Sequence, residues 1–158
     1  MRKKNVLIVD DDPDVLEMLK QLLEKLEYTP FVASNGEQGL KIIDKNKIDV
    51  VVSDLVMPEM NGMELLKRVK SRKGDIPFVM ITGYPTIETA VEAIKKGAYD
   101  YLTKPFQVED VEIKINRALE KRGLRRSLSR ASGIIWALII SIPIWLLLGI
   151  ALASLLGD

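Results

Sequence analysis

The sequence predicts an α/β fold, a doubly wound parallel sheet, followed by one transmembrane α-helix, and three observations carry that prediction. Five short apolar runs rich in β-branched residues alternate strictly with five stretches of helical periodicity. The first, third and fourth runs are apolar almost to their ends, which is the pattern of strands covered by helices on both faces. Finally, Gly133 to Leu156 holds no charged residue. About 24 residues at ~1.5 Å each give a helix of ~36 Å, enough to cross a hydrocarbon core of ~30 Å.

Val6 to Val9 is the first strand and runs into Asp10, Asp11 and Asp12. Asp12 caps the first helix and Pro13 opens it, since a missing N–H costs nothing in the first turn. Val15, Leu16, Leu19, Leu22, Leu23 and Leu26 recur at helical spacing toward Glu27. Thr29 to Ala33 is the second strand, and Asn35 and Gly36 open the second helix, which reaches Lys45. The third strand, Asp49 to Asp54, delivers a carboxylate into a turn marked by Pro58 and Gly62, and the third helix covers Met63 to Ser71. Phe78 to Thr82 is the fourth strand; Thr86 to Lys96 is the fourth helix, stopped by Gly97. Tyr99 to Thr103 is the fifth strand, ended by Lys104 and Pro105, and the fifth helix runs from Val108 to a stop at Gly123.

The chain has no cysteine and no histidine, which excludes disulfides, thiolate metal sites and imidazole catalysis. Chemistry falls to carboxylates, hydroxyls and lysines. Arg2, Lys3 and Lys4 resemble the start of a secretory signal, but only Val6 to Val9 follow before the acids, so no signal is expected.

Ligands of open parallel sheets bind beyond the carboxyl ends of the strands. Asp10 and Asp11 follow the first strand, Asp54 ends the third, Thr82 the fourth, and Lys104 follows the fifth. These residues should meet in one crevice. Crowded carboxylates repel one another, and without imidazole or thiol the fitting counter-charge is a hard cation such as Mg2+. A divalent cation, an ammonium and a hydroxyl around one carboxylate describe a site that stabilises a transferring phosphoryl group, with Asp54 as nucleophile. Lys104 alone would read as a solvated strand-end lysine and Thr82 alone says little; their convergence gives them weight. Two other readings stay open. One is a Mg2+-dependent phosphohydrolase, against which Val56 stands where a second catalytic aspartate is expected. The other is a scaffold that keeps the fold without phosphorylation.

The segments Val9-Asp10-Asp11, Asp54-Leu-Val-Met-Pro58 with Gly62, Ile81-Thr82-Gly83 and Tyr101-Leu-Thr-Lys104-Pro105-Phe106 resemble the response-regulator receiver domain of two-component signalling, over residues 1–120. Thr86 to Tyr101 is most similar to receivers of nitrogen-regulatory, sigma-54-activator type. The resemblance implies a flavodoxin-like (βα)5 fold in which Asp54 accepts a phosphoryl group from a sensor histidine kinase or a phosphotransfer protein. The domain would then be a phosphoacceptor, not an enzyme turning over other substrates. The resemblance also implies that Asp11, Asp54 and the backbone carbonyl of Val56 bind Mg2+ directly and that Asp10 acts through water. Lys104 would hold a phosphoryl oxygen, with a cis bond to Pro105. Thr82 would swing to the phosphoryl group and Tyr101 turn inward, changing the surface of the fourth helix, fifth strand and fifth helix. Apolar Val56 and bulky Tyr84, two residues beyond Asp54 and Thr82, imply slow hydrolysis of the phosphoryl group.

Sigma-54-activator regulators usually continue into an ATPase module and a helix-turn-helix; here a basic linker, residues 121–132, leads into the charge-free span, residues 133–156, and a short tail, 157–158. Lys121, Arg122, Arg125, Arg126 and Arg130 fit the positive-inside rule. A single-pass protein of the inner or plasma membrane is expected, with its receiver in the cytoplasm, a membrane-located target and no nucleic-acid partner. Gly149 and Ala153 are spaced by four, as in close-packing membrane helices, which suggests a homodimer through them.

Overall fold

The structure, a computed structural model, describes residues 3–124 and 139–141. Five strands, β1 (Asn5–Val9), β2 (Thr29–Ala33), β3 (Val50–Asp54), β4 (Phe78–Thr82) and β5 (Asp100–Thr103), form one parallel sheet in the order β2-β1-β3-β4-β5. Between them lie α1 (Pro13–Lys25), α2 (Gly36–Lys45), α3 (Gly62–Lys73) and α4 (Ile87–Lys95). A fifth helix, α5, occupies residues 108–124. The expected doubly wound flavodoxin-like sheet is therefore present.

Burial explains the unbroken apolar runs. Every position of β3 and of β4 is buried, because helices cover both faces of the sheet. On one face Leu7, Val9, Val51, Phe78 and Met80 pack against Leu40 and Ile43 of α2, Leu65, Leu66 and Val69 of α3 and Ala93 of α4. On the other, Val6, Ile8, Val52, Val79 and Ile81 pack against Leu19, Leu22 and Leu23 of α1 and Val111, Ile115 and Ala118 of α5.

Register then sets the working edge. Val9 pairs with Ser53, Asp54 with Ile81 and Thr82 with Thr103, so the carboxyl ends of β1, β3, β4 and β5 finish level with one another. The strand order reverses between β1 and β3, which opens a crevice at that edge.

Local chemistry fixes the helix starts. Asp12 accepts from Asp14 N–H at 2.9 Å, Asn35 from Gln38 N–H at 2.9 Å and Asn61 from Glu64 N–H at 2.9 Å, each satisfying a free donor of the first turn. Gly97, at φ 98°, follows α4 in the left-handed region, as a stop should. Several boundaries differ from expectation by one or two residues, and two of the differences have an identifiable cause. The third helix opens at Gly62 and reaches Lys73, because Asn61 supplies the cap one residue earlier than the apolar pattern suggests. Gly123 does not stop α5, which continues through residue 124. A helical glycine costs only about 1 kcal/mol, and the preceding turn is held by Arg122. Its guanidinium donates to Ile48 O at 3.0 Å and Asp49 O at 2.7 Å. Arg122 is thus a buried part of the domain instead of an exposed linker cation.

The chain divides into two units, Met1–Arg122 and Gly123–Asp158. Apart from 139–141, which are helical, the expected span at 133–156 lies outside the described residues, as do Gly149 and Ala153. Among the described residues no helix is long and apolar enough to cross a membrane.

Candidate functional site

Asp10 and Asp54 straddle the crevice between β1 and β3. Asp10 is 1 % exposed, and its Oδ1 accepts from Asp12 N–H at 3.0 Å, which orients the carboxylate inward. Asp54 is the last residue of β3, and its Oδ1 accepts from Val56 N–H at 3.2 Å. The turn that follows is pinned to the strand end, since Gly62 N–H donates to Leu55 O at 2.9 Å. A Cβ at position 62 would collide with the Asp54 carbonyl oxygen and lie 2.9 Å from Leu55 Cα, so glycine is required for this approach. Asp11 is exposed at the mouth. One carboxylate oxygen from each of Asp10, Asp11 and Asp54 lies within 4.8 Å of the other two.

Lys104 reaches into this cluster from the end of β5. Its Nζ stands 2.7 Å from Asp10 Oδ2 and 2.7 Å from Asp54 Oδ2, bridging the two buried carboxylates. The bond to Pro105 is cis, as the resemblance implied. Thr82 is fully buried at the end of β4; its carbonyl accepts from Lys104 N–H at 2.7 Å, and its Oγ1 accepts from Tyr84 N–H at 3.1 Å. Val56 and Tyr84 are exposed beside the crevice.

The electrostatics follow from this packing. Burial pushes Asp10 above the ordinary carboxylate range despite the hydrogen bonds from Lys104 and Asp12 N–H. Burial opposes the Lys104 charge, but hydrogen bonds and attraction from Asp10 and Asp54 outweigh it and raise its pKa. Three carboxyl groups thus face one ammonium, with Lys104 cationic between Asp10 and Asp54. Oxygen donors alone, three of them carboxylates and one reachable from solvent, are a donor set suited to a hard divalent cation such as Mg2+.

The structure thus brings together Asp10, Asp11, Asp54 and Lys104, with Thr82 at the neighbouring strand end. Tyr101 lies elsewhere: its ring packs against the core beside α4, with its hydroxyl 3.0 Å from Thr89 Oγ1. Thr89 was not singled out from the sequence, although Thr86-x-x-Thr89 is a helix-start pattern that could have drawn attention to it. Arg122 was read only as a basic residue; its burial depends on long-range packing that no local pattern encodes.

Comparison with known proteins places this geometry. The sequence profile of the response regulator receiver domain matches residues 6–116. The chain is 40 % identical over 124 residues to a putative NtrX-like response regulator of Rickettsia bellii, covering 77 % of this chain and 26 % of that protein. It is 35 % identical over 123 residues to the regulatory protein AtoC of Escherichia coli, covering 78 % of this chain and 27 % of that one. It spans about a quarter of the length of these relatives. Among solved structures, a receiver domain protein of Clostridium thermocellum superposes with a TM-score of 0.74 at 34 % identity, over 77 % of this chain and 98 % of that one. NtrX from Brucella abortus superposes with a TM-score of 0.77 at 32 % identity, over 81 % of this chain and 30 % of that one. With the acid cluster, the bridging lysine and the level strand ends already in place, these likenesses show that the chain belongs to the response regulator receiver domain family of two-component signalling.

Proposed function

We propose that this chain is a membrane-anchored response regulator in which Asp54 accepts a phosphoryl group from a sensor histidine kinase or a phosphotransfer protein. The observation that carries the reading is the Lys104 ammonium 2.7 Å from both Asp10 and Asp54 at the strand switch point. One Asp54 carboxylate oxygen attacks the phosphorus of a phosphohistidine. The P–N bond breaks, its electron pair stays on the imidazole nitrogen, and a P–O bond forms. Lys104 neutralises a phosphoryl oxygen, and the Thr82 hydroxyl donates to another. Asp11, Asp54 and the Val56 carbonyl would hold Mg2+ directly and Asp10 through water; bound there, Mg2+ supplies charge neutralisation at the phosphoryl oxygens. Val56 and Tyr84 shield the acyl phosphate from water and slow its hydrolysis.

Output runs through protein contact at the α4–β5–α5 surface, in place of direct DNA binding. Tyr84, Ile87, Val91 and Ile94 are exposed along this surface, an apolar stripe of the kind that meets partners. Residues 133–156 anchor the chain in the inner or plasma membrane behind the basic segment that precedes them, with the receiver cytoplasmic and Gly149 and Ala153 at a dimer contact. The charge-free composition and the preceding cations support this.

Incubation of the full chain with acetyl phosphate and Mg2+, followed by intact mass measurement, tests the acceptor. A stable gain of one phosphoryl group that is lost in Asp54→Ala supports it. Steady phosphate release from small phosphate esters would make the protein a phosphohydrolase, and no adduct would leave a scaffold. Alkaline carbonate extraction of cell membranes tests the anchor: the wild type should stay in the pellet and Leu147→Lys/Leu148→Lys should be released.

A further inference from the structure

Tyr101 and Thr82 lie on the same face of the sheet, since Met80 pairs with Tyr101 and Thr82 with Thr103. Between them runs a chain of short-range bonds. Tyr84 N–H donates to Thr82 Oγ1, Thr86 caps α4 by accepting from Thr89 N–H at 3.1 Å, and Thr89 Oγ1 meets the Tyr101 hydroxyl at 3.0 Å. The loop that begins at Thr82 therefore ends at the cap of α4, whose first turn carries the residue bonded to Tyr101.

Thr89 has more neighbours than it can bond. Its hydroxyl lies 3.2 Å from Thr86 N, 3.1 Å from Thr86 O, 3.1 Å from Thr86 Oγ1 and 3.0 Å from Tyr101 Oη. A hydroxyl has one proton and two lone pairs, hence at most three bonds. Donation to Thr86 O and acceptance from Thr86 N–H leave one lone pair. Tyr101 O–H and Thr86 Oγ1–H compete for it.

We propose that Thr89 is a positioning residue of the switch: its last lone pair holds the Tyr101 hydroxyl at the first turn of α4 in the unphosphorylated domain and passes to Thr86 when Tyr101 leaves. This rests on the reading of Asp54 as acceptor. Two consequences follow from the shared lone pair. Departure of Tyr101 leaves the α4 cap satisfied, so the helix start survives the switch. Release also costs less than an ordinary hydrogen bond, because a substitute donor stands 3.1 Å away. When Thr82 turns its hydroxyl to the phosphoryl group it gives up Tyr84 N–H, the β4–α4 loop shifts with Thr86, and the balance at Thr89 tips against Tyr101. Thr89 thus biases a two-state element from outside the phosphorylation site.

The test is a titration of the full chain with beryllofluoride and Mg2+, a stable phosphoryl mimic, read by fluorine NMR. Thr89→Val removes that partner of Tyr101 and should lower the half-saturating concentration by roughly 2- to 4-fold, below the worth of a full hydrogen bond because Thr86 already offsets part of its loss in the wild type. Thr89→Ser keeps the hydroxyl and should match the wild type. Thr89→Val combined with Tyr101→Phe should gain nothing beyond Thr89→Val alone, because both remove the same bond. A purely structural role would lower the melting temperature without tightening the mimic. A bound signal abolished by Asp54→Ala, with the Thr89→Val midpoint equal to or above wild type, overturns the role of Thr89 alone. No bound signal in any variant overturns the acceptor reading and this inference with it.

Discussion

Lys104 bridges two buried carboxylates, of which Asp10 lies deeper. Asp10 is 1 % exposed and its pKa is raised by burial above the ordinary 3.8. A carboxyl whose folded pKa exceeds its unfolded one favours folding when protonated, so its stabilisation is full below 3.8 and is lost as pH rises through the folded value. At neutral pH and without divalent cation Asp10 therefore burdens the fold. Asp10→Asn in EDTA is expected to raise stability at pH 7 by about 1 kcal/mol, the scale of one imperfectly compensated buried polar group, and to change it little near pH 3. Urea unfolding at the two pH values checks both halves of that expectation. Lys104 behaves differently: its raised pKa means that its contribution is full below 10.5 and fades as pH climbs through the folded value. Lys104→Ala leaves Asp10 and Asp54 facing each other without their cation, and should cost roughly 2 kcal/mol at pH 7, less where acid protonates Asp10.

At the scale of elements, the ends of α1 show how local rules work and where they stop. Leu26 N–H donates to Leu22 O, Glu27 N–H to Glu24 O and Tyr28 N–H to Leu23 O, closing the helix with Glu27 in the left-handed region at φ 61°. Glycine adopts that conformation without the Cβ penalty. Glu27→Gly should stabilise the domain by about 0.5–1 kcal/mol, visible as a raised urea midpoint with an unchanged slope, and a loss of stability would refute the argument. The central strands β1, β3 and β4 were legible in the sequence because burial on both faces writes itself as an apolar run, and the helix starts because Asp12, Asn35 and Thr86 declare their own caps. The acid cluster was legible for a topological reason: once strands and helices alternate, residues at strand ends must share an edge. Glu27 was not, since nothing in its side chain marks a left-handed backbone. Nor was the Thr89 bond to Tyr101, which depends on the depth at which α4 packs. Gly123 misled because a glycine can end a helix or be carried through it, and the deciding contact, Arg122 on the loop before β3, is 73 residues away in sequence.

For the whole molecule, the two edges of the sheet carry different duties. The carboxyl edge gathers charges that repel and therefore suits chemistry at some cost to stability. The amino edge does the reverse. There the Arg122 guanidinium, 8 % exposed, reaches from α5 to the carbonyls of Ile48 and Asp49 and lies 3.2 Å from an Asp75 oxygen, joining α5 to the segments that lead into β3 and β4. These bonds are charge-assisted and largely out of water, so removing the guanidinium should cost about 2–4 kcal/mol. None of the residues of the proposed phosphorylation site contributes to that clamp, since Asp10, Asp54, Thr82 and Lys104 all stand at the opposite ends of their strands. Arg122→Ala should therefore lower the urea midpoint strongly while, at a temperature where the variant is still folded, Asp54 takes up phosphoryl from acetyl phosphate at the wild-type rate. Lys104→Ala should give the opposite pattern, a smaller loss of stability with phosphoryl uptake or switching impaired. Equal damage to both properties in both variants would show that the two edges are not separable and that the sheet transmits strain from one to the other.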